Sequence, residues 1–311
     1  MEMRKMLATE LERLMSENEN IVLIDADLSK PNGVAGLREK FPERAFEVGI
    51  AEQNMASVAA GMSSYGFIPF ITTFTPFATR RICDQIAISI VYAKQNVKII
   101  GTDPGISAEY NGGTHMSVED IGVLRSIPNI VIFEPVDEIQ LKQALPQIAD
   151  YNGAVYVRMF RKELPVVFTE PDYKFNLFKA DRLQDGGDVS IFCSGIMVQE
   201  TMKANEMLKS EGINADIINI HTIKPLDEEA VLESARKTGA VVTAENHNII
   251  GGLKSAISEL LIEEYPVPLR SVGINDRFGQ VGKMDFLKEE YSMRAEDIVK
   301  AVKEVLKLKS K

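Results

Sequence analysis

The sequence predicts an α/β protein with a doubly wound, mainly parallel sheet and a second, smaller α/β unit after it. Three observations lead there. Short runs of Val, Ile and Leu bounded by turn residues alternate with stretches of helical apolar spacing. Polar residues gather at the C-terminal ends of those runs, where open α/β sheets bind ligands. The alternation lapses once, between Lys162 and Gly187, and then resumes. A chain of 311 residues is long enough for two domains, each burying its own core.

Taken in order, a helix over about Lys5 to Ser16 leads into a strand over Ile21 to Asp27, whose acids sit at its far end. Glu52 starts a helix running to about Met62, with Ile50, Met55, Val58 and Ala59 packed around it. Strands follow near Phe67 to Phe74, Val97 to Ile100, Ile130 to Phe133 and Val155 to Arg158. Helices fall between them, from about Phe77 to Ala93, after Ser117, and over Asp137 to Ile148. Strands alternating with helices imply parallel neighbours. Pro165, Pro171, Asp172 and the turn-rich Asp185-Gly186-Gly187 mark a linker, which sets the domains at 1–166 and 188–311 with 167–187 between. The second unit reads as strand Val189 to Phe192, helix Met197 to Ser210 stopped by Gly212, strand Ala215 to Ile220, helix Asp227 to Lys237, strand Ala240 to Thr243, and helices beginning near Leu253 and Ala295. Short-period repeats, low-complexity tracts and heptads are absent, which removes solenoid and fibrous folds.

Composition narrows the function. Apolar residues are 45% and charged residues 26%, and no apolar stretch reaches the roughly 18 residues of a membrane helix. A net charge of −10 argues against a nucleic-acid surface, yet one buried arginine could still bind a phosphorylated small molecule. Cys83 and Cys193 are far apart and lack metal-type spacing, and the start shows no secretory h-region, so a cytoplasmic location with two buried thiols is expected.

Four segments could carry chemistry. Glu52, in the first turn of its helix, is drawn toward its charged form by the helix N-terminus and toward its neutral form by burial, so it could trade a proton with a bound heterocycle. The plainer role of such an acid is to cap its own helix. Phe74 and Phe77 lie at a strand-to-helix corner and could stack on a flat ligand or simply fill core. The polar loop from Asp103 through Gly112-Gly113 to His115 allows close backbone approach and offers an imidazole for a sugar hydroxyl. Arg158, Arg161 and Lys162 end the last strand of the first domain. A solvated basic turn accounts for Arg158 and Lys162, whereas Arg161 suits a phosphate or carboxylate. In the second unit, His221 and His247 read as interface or packing residues, and Gly251-Gly252 as a tight turn at a helix start that could otherwise host an anion.

The ordered segments GIAEQNM, TTFTPFATRRICDQI, NGGTHMSVEDIGVLRSIPN and VRMFRKELP closely resemble the pyrimidine-binding domain of transketolase, and the resemblance continues through its C-terminal domain. It implies a thiamine diphosphate site in which Glu52 hydrogen-bonds the aminopyrimidine and promotes its imino tautomer, with Phe74, Phe77, Arg80 and Asp27 on the cofactor side. His115, Asn111, Arg161 and Arg4 would face a sugar-phosphate substrate, Arg161 gripping its phosphate. A two-carbon glycolaldehyde unit would pass from a ketose to an aldose, as in the pentose phosphate pathway. Thr102, where many relatives have a histidine, and Asn111, where aspartate is common, depart from the pattern and bear on which hydroxyls are read. Arg80 stands where a third aromatic ring is common.

The sequence lacks the Gly-Asp-Gly motif and the Asn-bearing stretch that hold the magnesium diphosphate in full-length transketolases, and Asp185-Gly186-Gly187 has the wrong order. This implies the C-terminal subunit of a split transketolase, completed by a separate N-terminal chain that holds the metal, as a self-associating heterotetramer. Deoxyxylulose phosphate synthase, the β subunit of a 2-oxo acid dehydrogenase, and a non-catalytic regulatory subunit of the same fold are the alternatives. The His115 loop and the Phe74 to Phe77 corner favour transketolase.

Overall fold

The computed structural model describes residues 1–170 and 172–309, so Pro171, counted above in the linker, lies outside the described residues. The opening helix α1 (Met3–Glu17) buries Met3, Leu7, Leu11 and Leu14, the stripe its spacing predicts. After it come β1 (Ile21–Asp25), α2 (Ala35–Lys40), β2 (Ala45–Glu47), α3 (Glu52–Ser64) and β3 (Ile68–Phe74). The single helix expected over 77–93 is broken into α4 (Thr75–Ala78), a 3-10 turn (Arg80–Ile82) and a π-helical stretch (Gln85–Tyr92). Thr79, at φ −130° and ψ −90°, makes the first break. The first half ends with β4 (Lys98–Thr102), a 3-10 stretch (Gly105–Asn111), α5 (Asp120–Arg125), β5 (Val131–Phe133), α6 (Glu138–Asp150) and β6 (Val155–Met159). Asp137 caps α6 by accepting the amide of Gln140, as Asp and Asn do at helix starts.

The stretch read as linker contains a strand, β7 (Asp181–Gln184), followed by β8 (Val189–Cys193), α7 (Met197–Ser210), β9 (Ala215–Asn219), β10 (Thr222–Lys224) and α8 (Glu228–Thr238). The chain then forms β11 (Val241–Asn248), α9 (Leu253–Glu264), β12 (Leu269–Ile274), α10 (Met284–Glu290) and α11 (Ala295–Lys309). Of these, α8 runs from the Asp227 cap to left-handed Gly239, an ending that glycine supplies without strain.

Two sheets result, in the orders β10-β5-β6-β4-β3-β1-β2 and β12-β11-β8-β9-β7. Every pairing is parallel except at two edges, where β7 runs antiparallel to β9 and β10 antiparallel to β5. The doubly wound architecture with a smaller second α/β unit is therefore the one the sequence predicts. One connection was not predicted: β10 leaves the second half and closes the edge of the first sheet. Strands β1, β4, β5, β6, β8 and β9 are buried along their whole length, and β3 at every residue after Ile68, as parallel strands covered on both faces must be. Among the described residues no helix is long and apolar enough to cross a membrane.

The halves are joined through a buried polar seam centred on Arg158, which is fully buried and not part of a solvated turn as expected. Its Nε donates to Asp120 Oδ2 at 2.7 Å and its Nη2 to the carbonyl of Asn246 at 2.6 Å, while Nη1 pairs with Glu134. Tyr156 and Ser194 donate hydroxyls to Asp120 and Glu134, each at 2.8 Å. Burial opposes the charge on Asp120, but the Arg158 guanidinium holds its carboxyl below the usual range. Only glycine fits at 195, where φ is 51° and a Cβ would lie 2.2 Å from Glu134 Oε1.

Candidate active site

The C-terminal ends of β1, β3, β4 and β6 lie side by side in the first sheet, and Asp27, Phe74, Phe77, Arg80, Asn111, His115 and Arg161 fall at or after those ends, while Glu52 opens α3 after β2 and Arg4 lies in α1. β3 runs straight into α4 at Phe74, and Pro76 in the first turn of α4 suits a helix start. The corner brings the Phe74 and Phe77 ring centroids to 6.2 Å, with the rings tilted by 36°. His115 comes edge-on to both, at 6.1 Å from Phe74 and 5.3 Å from Phe77. The three side chains thus form one aromatic group in the geometry such rings favour. Thr114 Oγ1 lies 2.9 Å from His115 Nδ1 and orients the imidazole.

Glu52 opens α3 and is almost fully buried, as its place beside the sheet requires. It does not cap its own helix. Its Oε1 accepts from Arg81 Nη1 at 2.6 Å, and among the described residues Oε2 has no hydrogen bond. The Arg81 guanidinium also lies 3.7 Å over the Phe77 ring, so one arginine ties the acid to the aromatic group. Arg81 was not singled out in the sequence; its signal was the Arg80-Arg81 doublet after the Phe pair, from which only Arg80 was taken. Arg80 turns the other way and pairs with Glu119. Met55 and Ala59 on the same helix are fully buried, but Ile50 is 76% exposed and Val58 also reaches solvent. Residue 50 precedes the helix, and 58 lies on its outer face.

At the neighbouring strand ends, Arg161 lies 4.7 Å over the ring of Phe74, which is buried, and pairs with Asp103. The Arg4 amide donates to the Arg161 carbonyl at 3.0 Å, which fixes the start of α1 beside it. The Arg4 guanidinium meets Glu2 at 3.0 Å and the Pro31 carbonyl at 3.3 Å. Asp27 is exposed, with φ 60° and its amide bound to Glu47 Oε1 at 2.7 Å. Burial, and then the neighbouring Glu47, push the Asp25 carboxyl behind it up to about 7. Asn111 is exposed at the end of the 3-10 stretch. Thr102 faces no crevice: it is buried, and its hydroxyl donates to Asn32 Oδ1 at 2.8 Å.

The second half shapes this loop cluster. Asn246 on β11 donates to the Pro104 carbonyl at 2.9 Å and accepts the Ile106 amide at 3.0 Å. Gly105 lies so close that a Cβ would come within 2.2 Å of Asn246 Oδ1. Glu109 accepts the Met284 amide at 3.2 Å. His221 and His247 are both fully buried and serve packing, His247 Nε2 accepting the Gly122 amide at 3.3 Å across the seam. The helix start after Gly251-Gly252 is already occupied by a carboxyl of the chain, because Glu245 accepts the Leu253 and Lys254 amides at 2.7 and 3.0 Å.

A model of the transketolase pyrimidine-binding domain matches residues 1–167, and one of the transketolase C-terminal domain matches residues 178–298. The chain is 51% identical over 294 residues to the 6-deoxy-6-sulfo-D-fructose transketolase subunit SqwH of Clostridium sp. (strain MSTE9), covering 94% of this chain and 91% of that one. It is 40% identical to a putative transketolase C-terminal section of Methanocaldococcus jannaschii, covering 98% of this chain and 96% of that one. A solved structure titled as a split gene transketolase, inactive beta4 tetramer, superposes with a TM-score of 0.90 at 43% identity and 99% coverage of both chains.

Proposed function

Because the chain belongs to the transketolase family, its pyrimidine-binding and C-terminal domains in tandem, we propose that it is the C-terminal subunit of a split, thiamine diphosphate-dependent transketolase. With a separate N-terminal subunit it transfers a two-carbon ketol unit between sugars whose far end is an anion. The observation that carries this reading is Glu52, buried at the start of α3 with one carboxylate oxygen uncommitted, tied through Arg81 to the Phe74, Phe77 and His115 group.

These residues fit the pyrimidine end of thiamine diphosphate, since a buried carboxylate oxygen and aromatic rings are what a flat, proton-exchanging heterocycle needs. When bound, the cofactor supplies the carbon centre and electron sink for breaking the ketose carbon–carbon bond. Glu52 then holds and moves a proton at a ring nitrogen, and Arg81 aims its carboxyl group. Phe74 and Phe77 set the plane of the ring, while Asp27 and Arg80 line its approach. His115 and Asn111 face the sugar hydroxyls, and Arg161 with Arg4 grips the distal anion. That anion is a phosphate, or a sulfonate as in the compound for which the 51% identical relative is named. Magnesium is held mainly by the N-terminal subunit, and the assembly is a cytoplasmic heterotetramer. The domain limits 1–166 and 188–311, with 167–187 between, belong to this proposal.

The test is Glu52→Ala in the complex reconstituted with its N-terminal subunit. Loss of a proton-transfer residue should lower kcat by about a hundredfold or more, with the complex still assembled by gel filtration. Unchanged turnover would make the chain a scaffold and overturn the reading.

A further inference from the structure

Two acids stand side by side at the β2 edge of the first sheet. Asp25 ends β1, Glu47 ends β2, and the two are partners in the parallel register of those strands. Neighbouring strands run about 4.8 Å apart, so side chains in register leave the sheet on one face and meet. Asp25 is buried, and its Oδ1 accepts the Leu28 amide at 2.9 Å. Its Oδ2 is buried as well, and among the described residues no donor reaches it. A buried carboxyl oxygen that lacks a donor is where a proton belongs.

Glu47 shows the opposite. Its Oε1 accepts the amides of Asp27 and Gly49 at 2.7 and 2.8 Å, and its Oε2 accepts from Arg38 Nη2 at 2.9 Å, a set of donors that suits an ionised carboxylate. Its own burial would raise it, but a hydrogen bond from Asp25, the two amides and Arg38 hold it below the usual carboxylate range. Two carboxylates in contact cannot both ionise cheaply, so one proton sits on Asp25 and is donated to Glu47. The other elements against β1 offer no counter-charge. In register on β3 stands the neutral Thr72, Arg4 of α1 is paired with Glu2, and Glu52 of α3 is paired with Arg81. The two amides on Glu47 Oε1 belong to left-handed residues, Asp27 at φ 60° and Gly49 at φ 73°. Asp27 opens the loop after β1, and Gly49, whose carbonyl accepts the Ala51 amide at 2.7 Å, starts the turn that leads into Glu52. A residue other than glycine holds such a φ only where its surroundings over-determine it. One oxygen of Glu47 thus pins both the Asp27 loop and the turn that delivers Glu52.

We propose that Asp25 and Glu47 are a proton-sharing pair of positioning residues: while Asp25 donates its proton to Glu47, the Asp27 loop and the turn before Glu52 stay set for the cofactor, and loss of that proton weakens the binding of thiamine diphosphate. When the proton leaves to solvent, two like charges face each other across β1 and β2. Glu47 is the more exposed of the two and turns outward, which releases the Asp27 and Gly49 amides. Burial and then Glu47 place the Asp25 carboxyl near neutral pH, so the loss falls within a working range. This rests on the thiamine diphosphate reading above and deepens it by naming a control of that same site.

The test uses the complex reconstituted with its N-terminal subunit and measures thiamine diphosphate binding by calorimetry at saturating magnesium. The native Kd should weaken by on the order of tenfold between about pH 6.5 and 8.5, the effect of one linked proton. Asp25→Asn keeps a donor toward Glu47 but has no proton to lose, and Glu47→Gln turns the donor round toward Asp25. Each should flatten the step. A merely structural role would weaken binding at every pH and leave the step in place. Infrared spectra of the full chain with labelled aspartate carboxyls should show, at about pH 6, a protonated carboxyl that Asp25→Asn lacks. A native Kd that does not change over this range, a step that persists in either variant, or the absence of that carboxyl signal overturns the proposal. If the native complex binds thiamine diphosphate and transfers a ketol unit while any of these holds, only the role of the pair falls. If it binds no thiamine diphosphate at any pH, the cofactor reading falls and this one with it.

Discussion

Arg158 shows how one residue can be misread from sequence and still organise the molecule. A basic side chain at the end of a strand ordinarily reaches solvent, but this strand is covered on both faces, and the partners that neutralise the charge, Asp120 and Glu134, lie 38 and 24 residues away in sequence. Such pairing has no local signature. Replacing Arg158 by Met leaves two buried carboxylates without a counter-charge, so it should cost about 3–5 kcal/mol in urea unfolding, against under about 1 kcal/mol for an exposed pair such as Arg13 with Glu17. Glu52, Phe74, Phe77, His115 and Arg161 could be picked out as candidates because they fall in short ordered segments; Arg81 could not, because it stands out only by what it touches. His221 carries a pH dependence. Burial holds its imidazole down at about 4, and its Nε2 faces the Lys179 carbonyl at 2.8 Å, so the ring is neutral and makes no ion pair with Asp181. Its folded pKa lies below the ordinary 6.5, so the unfolded chain binds the extra proton first as pH falls. The contribution is complete above about pH 6.5 and is lost as pH falls through about 4, amounting to about 3 kcal/mol. Thermal unfolding followed from pH 7 to 4 should therefore fall less steeply for His221→Gln than for the native chain.

At the scale of elements, the legible ones had either a continuous apolar run or a marked stop. α7 begins and ends where its pattern and Gly212 put it, and β1, β4, β6 and β8 stand out as β-branched runs. Strand β10 did not stand out, because three residues carry no period and its partner belongs to the other half of the chain. Strand β12 was missed because Arg270 and Ser271 interrupt it, and only its last three residues are buried. The break in the helix after Phe77 follows from the backbone at Thr79, whose hydroxyl donates to the Thr75 carbonyl at 2.7 Å. On β4, Lys98 is a buried amine, its pKa pushed down to about 7 by burial, that joins three segments, donating to Asn96 Oδ1 at 2.6 Å, the Tyr151 carbonyl at 2.5 Å and the Gly153 carbonyl at 2.9 Å. Lys98→Met would fill the same space and strand those acceptors. The expected loss is about 2–4 kcal/mol, read by urea unfolding and by faster amide exchange at the bottom of β4 and β6.

Over the whole molecule, the division into two α/β units was legible because helix and strand periods alternate throughout, whereas the seam between them was not, being made of polar residues whose spacing carries no period. If the chain holds one wall of a shared site, it should show no ketol transfer by itself at any magnesium concentration. Activity should appear on titration with the N-terminal subunit and saturate at equal stoichiometry, as followed by coupled assay and light scattering. Turnover by the chain alone would mean that the diphosphate end is held here after all. Strand β10 reaches further than its length suggests. A recombination break placed between the two units would strip the first sheet of its border and bare the amides and carbonyls of β5, which are a template for mispairing between molecules. The two units are therefore poor candidates for shuffling into hybrids, and in descent they are bound to travel as a pair.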